Sequence, residues 1–178
     1  FHREHGMSTR DISTSSDTVI ESREQLISPI AFGEKSRENW RIGTEHEKLV
    51  YCRKTLRAVP YVGANGIRDI LLKLRRFGWE PIEENGTVIA MQGSDGTVSL
   101  EPAGQLELSG APLINLHETC AETGRHLAQI KEVGEECDVG FLGLGMWHDK
   151  TRDEMPIMPK GRYEMMMRHM PNVGNLGL

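Results

Sequence analysis

Two dipeptides, Asn85-Gly86 and Asp95-Gly96, cut the middle of the chain into short extended runs. Asn-Gly and Asp-Gly tolerate the positive φ angles of a tight hairpin turn, whose twist matches that of the strands it joins. The runs around them, residues 79–83, 87–91 and 97–109, are therefore expected to be antiparallel neighbours. The last run is interrupted by Pro102 and Gly104.

Helical signals flank these strands. Ser22 and Gln25 have capping-box spacing ahead of Leu26, Ile27 and Ile30, and Gly33 can stop the turn, which predicts a short helix. Residues 40–51 read as a strand. Asn65 as a cap, then Ile67, Ile70, Leu71 and Leu74 at helical spacing with Gly78 beyond, predicts a second helix. A long helix is expected over 116–136, opened by Asn115 and Glu118. A Gly-broken apolar strand over 139–146 and a last helix over 161–170, ahead of Pro171, complete the order. Helices interleaved with hairpin strands predict an α+β fold, an antiparallel sheet flanked by helices. Residues 1–21, Ser/Thr-rich over 8–17, read as a disordered lead-in, with Met7 as a candidate start, and 22–178 as part of a single domain.

Composition excludes several function classes. A net charge of -5 with 38% apolar and 26% charged residues describes one soluble domain, and basic residues cluster on no stretch. Nucleic acid and anionic membrane are thus not expected partners, and an anionic substrate would need a metal or a local basic clamp. Three cysteines, Cys52, Cys120 and Cys137, form no CxxC and cannot all pair, which argues for a reducing compartment. No apolar run approaches the roughly 20 residues of a membrane span. Cys120 shares helical spacing with Leu116 and Leu127 and is expected to be packed. His117 and His126 are too far apart on the long helix to share a metal-binding edge. Seven of the nine methionines fall between Met146 and Met170, as gap-filling core or as contacts with further chain.

The densest chemistry lies in "GTEHEK". Glu45 and Glu47 are two apart in a strand and share a face, while His46 and Lys48 point the other way. Alternating carboxylates alone usually mark a solvated face. In "SLEPAGQLELSG", however, Glu101, Gln105, Glu107 and Ser109 share one parity and Leu100, Leu106 and Leu108 the other. If the Pro102 break preserves parity, carboxylates from both stretches could converge on one cavity. An all-oxygen set suits Mg²⁺ or Mn²⁺, and a cation would remove the mutual repulsion. A zinc protease is excluded because Val50 stands where a second histidine is needed. No glycine-rich stretch carries the Walker GK[ST], so any nucleotide must be held through metal and basic side chains. In "MPKGRY", Lys160 and Arg162 flank a glycine that permits close approach of an anion, although such a stretch is more often a solvated loop.

The stretches "WRIGTEHEK", "RFGWEPIEENG", "SLEPAGQLELSGAP", "GFLGLG", "MPKGRY" and "MPNVGNLGL" together resemble the plant and alphaproteobacterial type of glutamate-cysteine ligase. They run in family order over 22–178, which the resemblance makes the N-terminal portion of a single catalytic domain, less than half of a family member. The resemblance implies a glutamine-synthetase-like antiparallel sheet and ATP-dependent joining of glutamate, through its γ-carboxylate, to cysteine. It further implies Mg²⁺ or Mn²⁺ held by Glu45, Glu47, Glu101 and Glu107, catalytic roles for Glu45, Glu47, Lys160 and Arg162, substrate contacts from Gln105, Glu107 and Arg162, and nucleotide contacts from Lys160 and Glu101. The partners implied are the small molecules glutamate, cysteine and ATP, in a cytoplasmic monomer or homodimer, plastidic if the source is a plant. Two departures stand out. Ala103 replaces a usual glycine, and Met146-Trp147-His148-Asp149-Lys150 replaces the usual Phe-Gln-Pro-Lys-Trp. Another carboxylate-amine ligase of the same superfamily, or a catalytically silent binding or assembly piece, remains an alternative.

Overall fold

In the computed structural model, which describes residues 19–94 and 96–174, a six-stranded sheet has the order β2-β3-β4-β5-β1-β6. The strands are β1 (Glu45–Cys52), β2 (Glu80–Glu84), β3 (Thr87–Gln92), β4 (Thr97–Leu100), β5 (Leu106–Ser109) and β6 (Val139–Leu142). Every neighbouring pair is antiparallel. Four helices accompany them: α1 (Arg23–Phe32), α2 (Ile67–Lys73), α3 (Leu116–Cys137) and α4 (Gly161–His169). The expected α+β class with an antiparallel sheet is what forms. The lead-in over residues 1–18 and Asp95 lie outside the described residues.

Local signals explain most boundaries. Asn85 and Gly86 take φ values of 50° and 77°, the two positive angles that let the β2–β3 hairpin close. At the β3–β4 end, the Gly93 N–H donates to the Gly96 carbonyl at 2.8 Å. Ser22 and Gln25 form the reciprocal capping box of α1. Asn115 caps α3 by accepting from the N–H groups of His117 and Glu118, while Glu118 accepts from Ile114 N–H. Gly78, at φ 88°, ends the turn of 3₁₀ helix that continues α2.

Several expectations are corrected. The strand expected over 40–51 begins only at Glu45, and before it Ile42 makes an isolated bridge to Leu113. Asn65 does not cap α2. It sits at φ 59°, its N–H donates to Asp69, and Gly66 takes the capping position. Residues 97–109 are not one interrupted run but two strands folded back on each other through the short 3₁₀ turn Pro102–Gly104. The strand expected over 139–146 stops at Leu142, before Gly143. Cys120 is exposed rather than packed, as are Leu116 and Leu127. Helical spacing identified a stripe, but α3 buries the stripe carrying His126, Ile130, Val133, Gly134 and Cys137 instead.

The core lies between one face of the sheet and the helices. Val98, Leu100, Leu106, Leu108 and Val50 from the strands meet Ile67, Ile70, Leu71 and Leu74 around α2 and Ile130 and Val133 of α3. Burying such side chains contributes roughly 1.5–3 kcal/mol each before the entropy of ordering them is subtracted. This one-sided core leaves the other face of β4, β5 and β1 for polar chemistry.

Candidate active site

Directly paired residues of an antiparallel ladder present their side chains to the same face. Glu47 is paired with Glu107 and Glu45 with Ser109 across β1 and β5. Ser99 is paired with Glu107 and Thr97 with Ser109 across β4 and β5. The Glu101 N–H donates to the Gln105 carbonyl at 2.9 Å, which extends the ladder into the turn. The reversal at Pro102–Gly104 therefore preserves parity, because Glu101 and Gln105 face each other across it. Glu45, Glu47, Glu101, Gln105 and Glu107 all belong to the face turned away from the core.

Their surroundings differ sharply. Glu107 is only 3% exposed, and each carboxylate oxygen accepts from a hydroxyl: Oε1 from Ser109 Oγ at 2.7 Å, Oε2 from Ser99 Oγ at 3.3 Å. Glu45 and Glu47 are exposed. Gln105 donates through Nε2 to Glu47 Oε2 at 3.3 Å and to the Leu144 carbonyl at 3.4 Å, tying the β6–α4 loop to this face. Within that loop the indole N–H of Trp147 is buried with no partner.

The basic pair approaches from the start of α4. Arg162 Nη2 lies 2.8 Å from Glu101 Oε1, and Lys160 Nζ lies 4.0 Å from the same oxygen. Lys160 is buried, and its Nζ donates to the Leu100 carbonyl at 2.6 Å, alongside the Tyr163 hydroxyl at 2.9 Å. Burial lowers the Lys160 ammonium to about 8, assisted by the Arg162 charge and opposed by Glu101 and Glu107. Burial also raises the Glu101 carboxyl, with repulsion from the Glu107 charge acting in the same direction, against the pull of Lys160 and Arg162. Beside Lys160 an open groove of about 510 Å³ is bounded by Glu84, Asn85, Thr87, Met158 and Gly161.

Among the described residues, no three His, Cys, Asp or Glu side chains lie close enough together to hold a metal ion. The carboxylates form a row rather than a cluster, with Glu101 engaged by Arg162 at one end and Glu45 exposed at the other. Mg²⁺ is commonly bound through one or two carboxylates with phosphate oxygens and water completing its shell. The all-oxygen chemistry of the cross-strand pair Glu47 and Glu107 fits that role, and two carboxylates placed opposite each other in a ladder gain from an intervening cation.

The core side of β1 carries polar residues that sequence parity located without revealing their burial. Lys48 is 2% exposed, and its ammonium donates to the His46 carbonyl. Burial lowers it to about 8. His126, buried on α3, has no partner at either ring nitrogen, and burial with the nearby Lys48 and His46 charges lowers it to about 3. Ser99, also missed, could have been found from the alternation Thr97, Ser99, Glu101, which places a polar side chain at every second position beside the carboxylates.

The profile of Glutamate-cysteine ligase family 2 (GCS2) matches residues 41–178, the part that holds both acidic strands and the basic pair. The chain belongs to this glutamate-cysteine ligase family. It is 51% identical over 158 residues to the glutamate-cysteine ligase A, chloroplastic, of Oryza sativa subsp. japonica, covering 88% of this chain and 32% of that protein. It is 49% identical to the chloroplastic glutamate-cysteine ligase of Brassica juncea and 48% identical to that of Arabidopsis thaliana, each over 158 residues, 88% of this chain and 30% of theirs. The chain thus spans about a third of the length of the curated relatives it matches. Within this glutamate-cysteine ligase family member, the matched region begins one residue before the isolated Ile42 bridge and takes in all six strands and α2 to α4.

Proposed function

We propose that the chain is the N-terminal portion of a catalytic domain that joins the γ-carboxylate of L-glutamate to the amine of L-cysteine at the expense of ATP, the first step of glutathione synthesis. Residues 22–178 contribute part of a glutamine-synthetase-like sheet. The observation that carries this reading is the pairing of Glu47 with Glu107 on the sheet face turned away from the core, in a chain of this family, with Lys160 and Arg162 reaching the same face at Glu101.

In the reaction, a γ-carboxylate oxygen of glutamate attacks the terminal phosphorus of ATP, and ADP leaves with the electrons of the broken bond. The cysteine nitrogen then attacks the acyl carbon, forming the amide as inorganic phosphate departs. Glu47 and Glu107 would hold Mg²⁺ or Mn²⁺ between β1 and β5, while Glu45 and Glu101, at the two ends of the row, would each hold such an ion only together with phosphate oxygens and water. Such an ion supplies neutralisation of phosphate charge and a fixed template. Arg162 presents a planar guanidinium suited to two oxygens of a phosphate or carboxylate, and Lys160 adds a buried point charge. Gln105, anchored on the Leu144 carbonyl, orients Glu47 and stands ready to contact substrate. Little covalent work falls to the protein, so positioning and electrostatics dominate.

The test is ATP- and glutamate-dependent ADP release, with γ-glutamylcysteine as product, in a version of family length. Glu45→Gln is expected to lower turnover by roughly 100-fold or more, as removal of a transition-state electrostatic contact does. Near-normal turnover would overturn the assignment of that residue, and absence of γ-glutamylcysteine from the unmutated protein would overturn the function. The chloroplastic relatives support a plastid location. No helix among the described residues is long and apolar enough to cross a membrane.

A further inference from the structure

Glu107 is unusual among the carboxylates of this face because it is nearly inaccessible and carries a hydroxyl on each oxygen. Ser99 comes from β4 and is its cross-strand partner, whereas Ser109 follows it by two positions in β5. Both serines are themselves buried, Ser99 completely and Ser109 at 9% exposure. Two donors from two strands lock both the position and the plane of a carboxylate. Neither hydroxyl is needed to fill the core, which lies on the opposite face and is built from Val98, Leu100, Leu106 and Leu108.

We infer that Ser99 and Ser109 are positioning residues that orient the Glu107 carboxylate toward Glu47, so that the pair can share a divalent cation. The inference rests on the proposed function. A hydroxyl bonded to each oxygen fixes the plane of the carboxylate beside its cross-strand partner Glu47, and a carboxylate held by one donor would be free to rotate away from that like charge. Hydrogen-bond partners behind a metal ligand of this kind typically account for 10–100-fold in metal affinity or activity.

The test uses a family-length version, with Mn²⁺ as the probe. Its dissociation constant is read from the electron paramagnetic resonance of the free ion, and the Mg²⁺ dependence of ADP release is measured alongside. Ser99→Ala together with Ser109→Ala is expected to weaken Mn²⁺ binding by about 10-fold or more and to raise the Mg²⁺ concentration for half-maximal rate similarly, with kcat at saturating Mg²⁺ changed by less than about threefold. Ser109→Thr, which keeps the hydroxyl, is expected to retain Mn²⁺ affinity. Should the double variant not fold, as judged by circular dichroism, each single alanine variant is expected to show the same direction of change. Unchanged Mn²⁺ affinity in folded serine variants, while Glu107→Gln loses both Mn²⁺ binding and turnover, overturns this inference and leaves the proposed function standing. Normal Mn²⁺ binding and turnover in Glu107→Gln, or no Mn²⁺ binding by the unmutated protein, overturns both.

Discussion

Ala103 holds φ 65° and ψ 13° inside the turn that joins β4 to β5, a left-handed conformation that a Cβ atom disfavours. Gly104 beside it, at φ 77°, carries no such cost. A glycine at this position would relieve the strain, so Ala103→Gly is expected to stabilise the protein by about 0.5–1 kcal/mol net of the added freedom of the unfolded chain. Urea unfolding read by circular dichroism checks this, and a fall in the midpoint would count against it. The substitution was visible in the sequence, but the sign of φ that gives it a consequence was not. Residue identity likewise named Glu101 as a metal ligand without showing that Arg162 engages its carboxylate.

At the scale of elements, the packing of α3 over the sheet, beside β6, sets a pH dependence. His126 is held neutral by burial on the inner stripe of α3, near Lys48 and His46 of β1, with a folded value of about 3 against an ordinary 6.5. Below 6.5 the unfolded chain takes up a proton that the folded state refuses. The contribution is therefore fully present above about pH 6.5 and is lost progressively as pH falls toward 3. Between pH 7 and pH 5 this one group is expected to cost about 2 kcal/mol of stability. His126→Gln is expected to flatten the thermal midpoint across that interval, and an equally steep acid limb in the variant would reject the assignment. A second expectation concerns α1, which buries none of its residues despite a complete capping box. Replacing residues 23–32 with a flexible Gly/Ser linker is expected to shift the thermal midpoint by less than about 2 °C, since stability follows packing rather than capping of a surface helix. A larger loss in differential scanning calorimetry would mean that α1 is docked.

For the whole molecule, the division of the sheet into a core face and a carboxylate face links stability to ligand. Mg²⁺ with ATP is expected to stabilise a family-length version by about 2.7 kcal/mol when present at 100 times its dissociation constant, and a chelator in excess is expected to reverse the shift. Thermal shift measured with and without EDTA decides this. Stabilisation by ATP that survives chelation would separate nucleotide binding from the acidic strands.

Local chemistry by itself determined the helices with caps, the Asn85-Gly86 hairpin and the even and odd faces of the acidic strands, because caps, positive-φ turns and the two-residue pleat depend on residues close in sequence. Parity even survived the misreading of residues 97–109 as one run, since Glu101 and Gln105 face each other across the turn that divides it. Only the tertiary structure decided which stripe of α3 is buried, leaving Cys120 outside and His126 inside, because that depends on where the helix lies over the sheet. It also decided that Glu47, rather than a residue one step along, stands opposite Glu107. Strand register across about 60 intervening residues follows from core packing of the whole domain, on which neighbouring residues in the chain carry no information.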